Sequence, residues 1–271
     1  MLIFKYIGPT CKAPKSIYLQ PFAPEPDSMK RNIINAAIFL KQFTLLLRPH
    51  IFLGWLRHPL LTISNTLSMT RWIAQQNKKD ILNDFYSPRR NYDKRLQLFD
   101  HICDKFNLPA QPIDYLEFGV ASGHSFRWWI SKCTHTDSKF YGFDTFEGLP
   151  ENWGAFKKGD MIAGVPVLDD QRAKFLKGLF QDSLPAFLKE TNLNNDRKKV
   201  IHLDADLFSS TLFALTSLAP YLKSGDMLLF DEFNVPNHEY YAFRIFTESY
   251  YVKITLVAAV NNFYQVAMAI D

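Results

Sequence analysis

The chain has 271 residues, 47% hydrophobic and 21% charged, with a formal net charge of +4. That balance describes one main globular domain with an appendage and ample material for a core. Cys11, Cys103 and Cys133 lie far apart with no C-x-x-C pair, which excludes a disulfide framework and a structural zinc site and favours a reducing, cytoplasmic compartment.

Residues 1–28 hold Pro9, Pro14, Pro21, Pro24 and Pro26, which prevent a continuous helix and predict an extended arm. The start, Met-Leu-Ile-Phe-Lys-Tyr-Ile-Gly-Pro, lacks the basic region, long apolar core and cleavage site of a signal peptide, so export is not expected. Residues 28–79 contain no Asp or Glu but eight basic residues, Lys30, Arg31, Lys41, Arg48, Arg57, Arg71, Lys78 and Lys79; subtracting that +8 from +4 leaves the rest of the chain at −4. Two readings stand. Segment 28–79, also rich in Phe, Leu, Ile and Trp, lies peripherally on an anionic membrane and meets a lipid-linked or acidic substrate, or its basic face packs on the acidic remainder or on a second subunit. Its longest uncharged stretch, His58 to Thr70, is 13 residues, short of a span.

Helical spacing is predicted over Met29–Leu47, ended by Pro49, then near residues 59–76, and over Tyr92–Phe106, where Leu96, Phe99, Ile102, Cys103 and Phe106 share a face. Residues 29–111 read as a basic, hydrophobic helical cap, and residues 112–271 as the main domain. There Ile113–Gly119 predicts a strand, Ser122–Ile130 a helix opening, Lys139–Asp144 a strand, and residues 145–173 a long irregular loop of the kind that carries function. Ala173–Phe180 predicts a strand, Leu184–Thr191 a helix, Val200–Asp206 a strand, Ser209–Leu222 a helix, Asp226–Phe233 a strand and Glu239–Ser249 a helix. Two β runs, Tyr251–Val260 and Phe263–Ile270, flank the turn pair Asn261-Asn262. The alternation describes an α/β fold: a doubly wound, seven-stranded, mostly parallel sheet with an antiparallel edge strand.

The Val200 strand ends in Asp204 and Asp206, and the next in Asp231 and Glu232. Unpaired carboxylates are costly in a core, so all four belong at the C-terminal rim of the sheet, where ligands bind, and together they suggest a cation. Glu117-Phe-Gly119-Val120-Ala121-Ser122-Gly123 sits at a strand-to-helix turn whose glycines admit a ligand to the backbone, with N–H donors at the helix start. Its G-x-x-x-G spacing departs from the dinucleotide fingerprint G-x-G-x-x-G. Asp144 ends the next strand, the position from which a carboxylate accepts ribose hydroxyls. Together these features fit S-adenosylmethionine; individually Gly119 is a tight corner and Asp144 a helix cap.

Tyr115-Leu-Glu-Phe-Gly-Val, Gly142-Phe-Asp-Thr-Phe-Glu-Gly-Leu-Pro-Glu-Asn-Trp153, Gly178-Leu-Phe-Gln-Asp-Ser-Leu-Pro185, His202-Leu-Asp-Ala-Asp-Leu-Phe-Ser-Ser-Thr211 and Phe230-Asp-Glu-Phe233 resemble the macrocin O-methyltransferase (TylF and MycF) family of class I S-adenosylmethionine enzymes. The likeness covers residues 112–271. It implies an O-methyltransferase whose Mg²⁺ holds the acceptor hydroxyl beside the methyl donor, with Asp204, Asp231 and Glu232 as protein ligands. Glu232 departs from the shorter Asp or Asn more common at its position. A hard cation with oxygen ligands agrees with the carboxylates themselves and would activate and orient a hydroxyl.

Asp206 is then a base, a substrate ligand or the cap of the helix at Ser209; His238 is a further candidate base. His202 reads as a hydrogen-bonded core histidine. His124 touches the methionine carboxylate or is merely exposed, and it and Ser125 complete the cofactor set. Gln181 and Asp182 read the adenine edge, with helix capping as the alternative for Asp182. Phe146, Glu147, Trp153 and Phe156, in the long loop, wall an acceptor pocket or only anchor the loop. The expected acceptor is a hydroxyl of a sugar, glycolipid or other natural product, with no nucleic-acid partner. The competing functions are a nicotinamide-dependent oxidoreductase and a non-catalytic, membrane-recruited cofactor-binding protein.

Overall fold

The structure, a computed structural model, describes residues 28–271, so the proline-rich arm lies outside the described residues. The chain divides into two units between Arg57 and His58. The first unit contains helix α1 (Ser28–Leu47) and the short helix α2 (His50–Leu53).

Almost all of the second unit is built on one sheet. Helix α3 (Arg57–Gln75) leads to a two-residue strand β1 (Leu82–Asn83) and helix α4 (Lys94–Phe106), which stops where Asn107 turns left-handed. Then follow β2 (Ile113–Phe118), α5 (His124–Lys132), β3 (Lys139–Asp144), β4 (Ala173–Lys177), α6 (Phe180–Glu190), β5 (Lys198–Leu203), α7 (Phe208–Leu218), β6 (Met227–Phe230), α8 (Glu239–Tyr250), β7 (Ile254–Val260) and β8 (Gln265–Ile270). The order across the sheet is β1-β7-β8-β6-β5-β2-β3-β4.

Two details correct the expectation. Among the described residues there are eight strands, because Leu82–Asn83 adds a parallel edge to β7. The antiparallel strand β8 is not an edge: it lies between β6 and β7 and pairs antiparallel with both. The Asn261-Asn262 turn returns the chain into the sheet rather than beside it.

All six residues of β2 are buried, as expected for a central parallel strand covered on both faces. Leu116 and Phe118 point into the core under α6, α7 and α8, which includes Phe187, Leu215 and Phe243. Tyr115 points the other way, into a core with Phe99 and Ile102 of α4 and Phe126 and Trp129 of α5. Two helical layers on one sheet leave its C-terminal edge as the open side, and β2, β5 and β6 end there beside one another.

Candidate active site

The turn after β2 is shaped by close approach. Gly119 has φ +93°, and a Cβ there would lie 1.8 Å from the carbonyl oxygen of Asp204, so no side chain fits. Asp144 splints the same turn: its Oδ2 accepts the N–H groups of Val120 and Ala121, each at 2.8 Å, and its Oδ1 accepts that of Phe146 at 2.7 Å. Gly119, Ala121, Asp144 and Gln181 line one end of a cavity of about 550 Å³.

Other residues of the expected cofactor set stand back from this wall. Glu117 is buried and receives the Tyr115 hydroxyl at 2.6 Å; burial pushes its carboxyl up to about 8. Val120 and Ser125 are buried, Gly123 precedes α5, Ser122 and His124 are exposed, and Asp182 lies exposed in the first turn of α6 without capping it.

Beside the glycine turn the same cavity has an acidic wall. Asp204 follows β5 and Asp231 follows β6, with the Asp231 N–H donating to Leu203 at 3.0 Å. Both face a cation that belongs to the chain: the Arg95 guanidinium, on α4, lies with Nη1 3.2 Å from Asp231 Oδ2 and 3.5 Å from Asp204 Oδ2. Burial raises the Asp204 carboxyl well above the usual range, with Asp231 adding to the rise. Asp231 is held low, despite its burial, chiefly by His202 and then by Arg95.

His202 is buried; its Nδ1 is 3.0 Å from the Tyr115 hydroxyl, and its Nε2 is 3.9 Å from Asp231 Oδ1. One ligand atom each from His202, Asp204 and Asp231 lie within 4.8 Å of one another. Glu232 is engaged differently: the Tyr264 hydroxyl donates to its Oε1, its N–H donates to Glu239 Oε2 at 2.8 Å, and its Oε2 is buried without a partner.

Asp206 departs from the i+2 strand position expected for it. The strand stops at Leu203, and Asp206 adopts φ +57° on the cavity wall. Nor does it cap a helix, since α7 starts at Phe208 behind Leu207 with no side-chain cap. Burial, then Glu232 and Asp231, push its carboxyl up to about 7. His238 precedes α8 away from the cavity wall, half-buried and lowered by burial.

Trp153 and Phe156 stack at 5.3 Å and line the cavity. Phe146 is instead buried against Phe175, and Glu147 pairs with Lys177 at 2.9 Å outside it. The remaining wall comes from a segment that sequence reasoning did not connect to the site. Arg90 stacks 3.4 Å over the Tyr264 ring, and Tyr92 and Arg95 stand beside it on the wall. The β7–β8 turn fixes this segment: Asn262 exchanges two hydrogen bonds with the Ser87 backbone and Asn261 two with that of Asn91. The one available signal was an arginine in the first turn of the 92–106 helix, which does not reveal what it faces.

Residues 165–264 match the model of the macrocin-O-methyltransferase (TylF) family. Over 166 residues the chain is 29% identical to the 8-demethyl-8-(2,3-dimethoxy-alpha-L-rhamnosyl)-tetracenomycin-C 4'-O-methyltransferase of Streptomyces olivaceus, covering 52% of this chain and 61% of that enzyme. The calicheamicin methyltransferase CalS11 shares the fold, with a TM-score of 0.51 at 18% identity over 76% of this chain and 91% of the other. The likeness to TylF-type methyltransferases carried by the five sequence motifs is therefore borne out, over a stretch shorter than two thirds of the curated relative.

Proposed function

We propose that the chain is an S-adenosylmethionine-dependent O-methyltransferase acting on a hydroxyl of a sugar, within a natural product or glycoconjugate. The observation that carries this reading is the continuity of one cavity, from the glycine turn and Asp144 to the paired carboxylates Asp204 and Asp231. A nucleoside fits the first end, where the backbone lies bare at Gly119 and Asp144 and Gln181 offer polar atoms. An acceptor fits the second, between the Trp153–Phe156 stack and Tyr92, since aromatic faces suit the apolar faces of sugar rings. Neither the oxidoreductase nor the scaffold alternative gains support from this arrangement.

Bound S-adenosylmethionine supplies a methyl group on a positively charged sulfur, and the chain's part is to present and deprotonate the acceptor hydroxyl. Asp206 is the base: it lines the cavity, and its pKa of about 7 lets it accept a proton at neutral pH. A divalent cation fits the acidic end. Asp204 and Asp231 would hold it, with a ring nitrogen of His202 within reach; Glu232, expected as the third carboxylate ligand, lies outside this group. The buried Asp231 Oδ1, without a hydrogen-bond partner, is an acceptor that such an ion would satisfy. Bound there, a divalent cation would lower the pKa of an acceptor hydroxyl.

Calorimetry with S-adenosylhomocysteine tests the reading. The parent chain binds, and Asp144→Ala weakens binding by about 10- to 100-fold, the worth of one or two charge-assisted hydrogen bonds plus a loosened turn. Absence of binding by the parent overturns it. Methyl transfer that proceeds unchanged in Asp204→Asn, with and without chelator, overturns the cation assignment.

A further inference from the structure

The proposed reaction uses nothing of residues 28–57. None of the 20 residues of α1 is buried. Met29, Ile33, Ala36, Leu40, Phe43 and Leu47 recur at the 3.6-residue period and form one apolar stripe, widened by Phe39, which stacks on Phe43 at 6.1 Å. Lys30, Arg31, Asn35, Lys41 and Gln42 fall on the opposite side of the same helix, where Ile34, Ile38 and Leu45 stand exposed among them. Downstream, Phe52 and Trp55 are 72% and 73% exposed. A soluble surface rarely leaves so much contiguous apolar area in water.

We propose that residues 28–57 dock on the surface of an anionic lipid bilayer, lying in its plane. Charge selects this occupant. The segment carries Lys30, Arg31, Lys41, Arg48 and Arg57 with no acidic residue, so it complements acidic headgroups. A second copy of the chain fits less well, because a two-fold interface sets a patch against itself and here would bring Lys41, Arg48 and Arg57 against like charges. Among the described residues no single helix is long and apolar enough to span a membrane; Ser28–Leu47 and His50–Gln75 reach that length and composition only as a bent pair, and the charges of Lys41 and Arg48 suit the interface plane. Trp55 suits the headgroup depth, where an amphipathic ring keeps one edge wet.

The test uses the full chain and vesicles of phosphatidylcholine, alone or with about 30% phosphatidylglycerol, at low and high salt. Co-sedimentation is expected on the anionic vesicles, weakened at high salt. The charge variant Lys30→Glu/Lys41→Glu and the apolar variant Phe39→Ser/Phe43→Ser each lower the partition about tenfold or more. S-adenosylhomocysteine binding, unchanged in both variants, shows that the second unit remains folded. Equal binding to neutral and anionic vesicles overturns the proposal, as does the absence of binding at low salt. A dimer in light scattering that dissociates in the phenylalanine variant, without vesicle binding by the parent, assigns the face to a second copy instead.

Discussion

Replacing Arg95 by Met removes the one cation facing Asp204 and Asp231 among the described residues while keeping the stem that packs beneath it. A full charge at 3.2 Å attracts a carboxylate by about 5 kcal/mol at an effective dielectric of about 20, and the second contact adds somewhat less. Most of this gross attraction is offset by the desolvation of the three groups and by the proton that the bared pair takes up. Breaking a buried ion pair costs about 3–5 kcal/mol, and the Arg95 and Asp204 side chains are 22% and 28% exposed, so about 2 kcal/mol is expected. For a domain of this size that lowers the melting temperature by about 4–8 °C in chelator. The contacts at 3.2 and 3.5 Å are long for charge-assisted bonds, and a divalent ion between the same oxygens is exclusive with the guanidinium. Manganese should therefore raise the melting temperature of the variant more than that of the parent. Scanning calorimetry with chelator and with manganese checks both halves. A variant as stable as its parent in chelator refutes the electrostatic argument, and equal metal-induced shifts refute the competition.

Glu117 gives a pH signature. Its folded pKa of about 8 lies above the ordinary glutamate value of 4.5, so between those values the folded chain holds a proton that the unfolded chain releases, and stability falls as pH rises through that window. Glu117→Gln keeps an acceptor for Tyr115 and removes this loss; urea melts should show a stability gain for the variant at pH 9 that shrinks towards pH 5, and a pH-independent difference contradicts the assignment. Gly119→Ala forces a methyl group 1.8 Å from the Asp204 carbonyl in a left-handed conformation, so it should cost about 3 kcal/mol or more and abolish S-adenosylhomocysteine binding; a soluble variant that binds like the parent contradicts the close approach.

The order of strands and helices was legible because parallel strands buried on both faces write themselves as apolar runs, as Tyr115–Phe118 and Val200–Leu203 do. Strand ends were less legible. Nothing local distinguishes Leu203 from Asp204 as the last ladder residue, so Asp206 was assigned a strand position that its left-handed backbone denies. The start of α6 at Phe180 was hidden for a similar reason, since an aromatic residue after a strand reads as more strand. The carboxylates of the site were visible from their spacing, but their counter-cation was not, because Arg95 and Asp231 stand 136 positions apart. Arg90 was likewise lost in a segment without periodicity, and Tyr92 at the start of a helical run whose apolar face does not show what it lines; the place of both is set by the side chains of Asn261 and Asn262.

That asparagine clasp bears on how the molecule is made. The segment carrying Arg90 and Tyr92 is synthesised some 170 positions before the turn that grips it. Loop closure over that distance must wait until the turn has left the ribosome, even if β2 to β5 have already paired. A nascent chain can thus hold the Gly119 turn and Asp144 in place while the wall of Arg90 and Tyr92 stays unassembled.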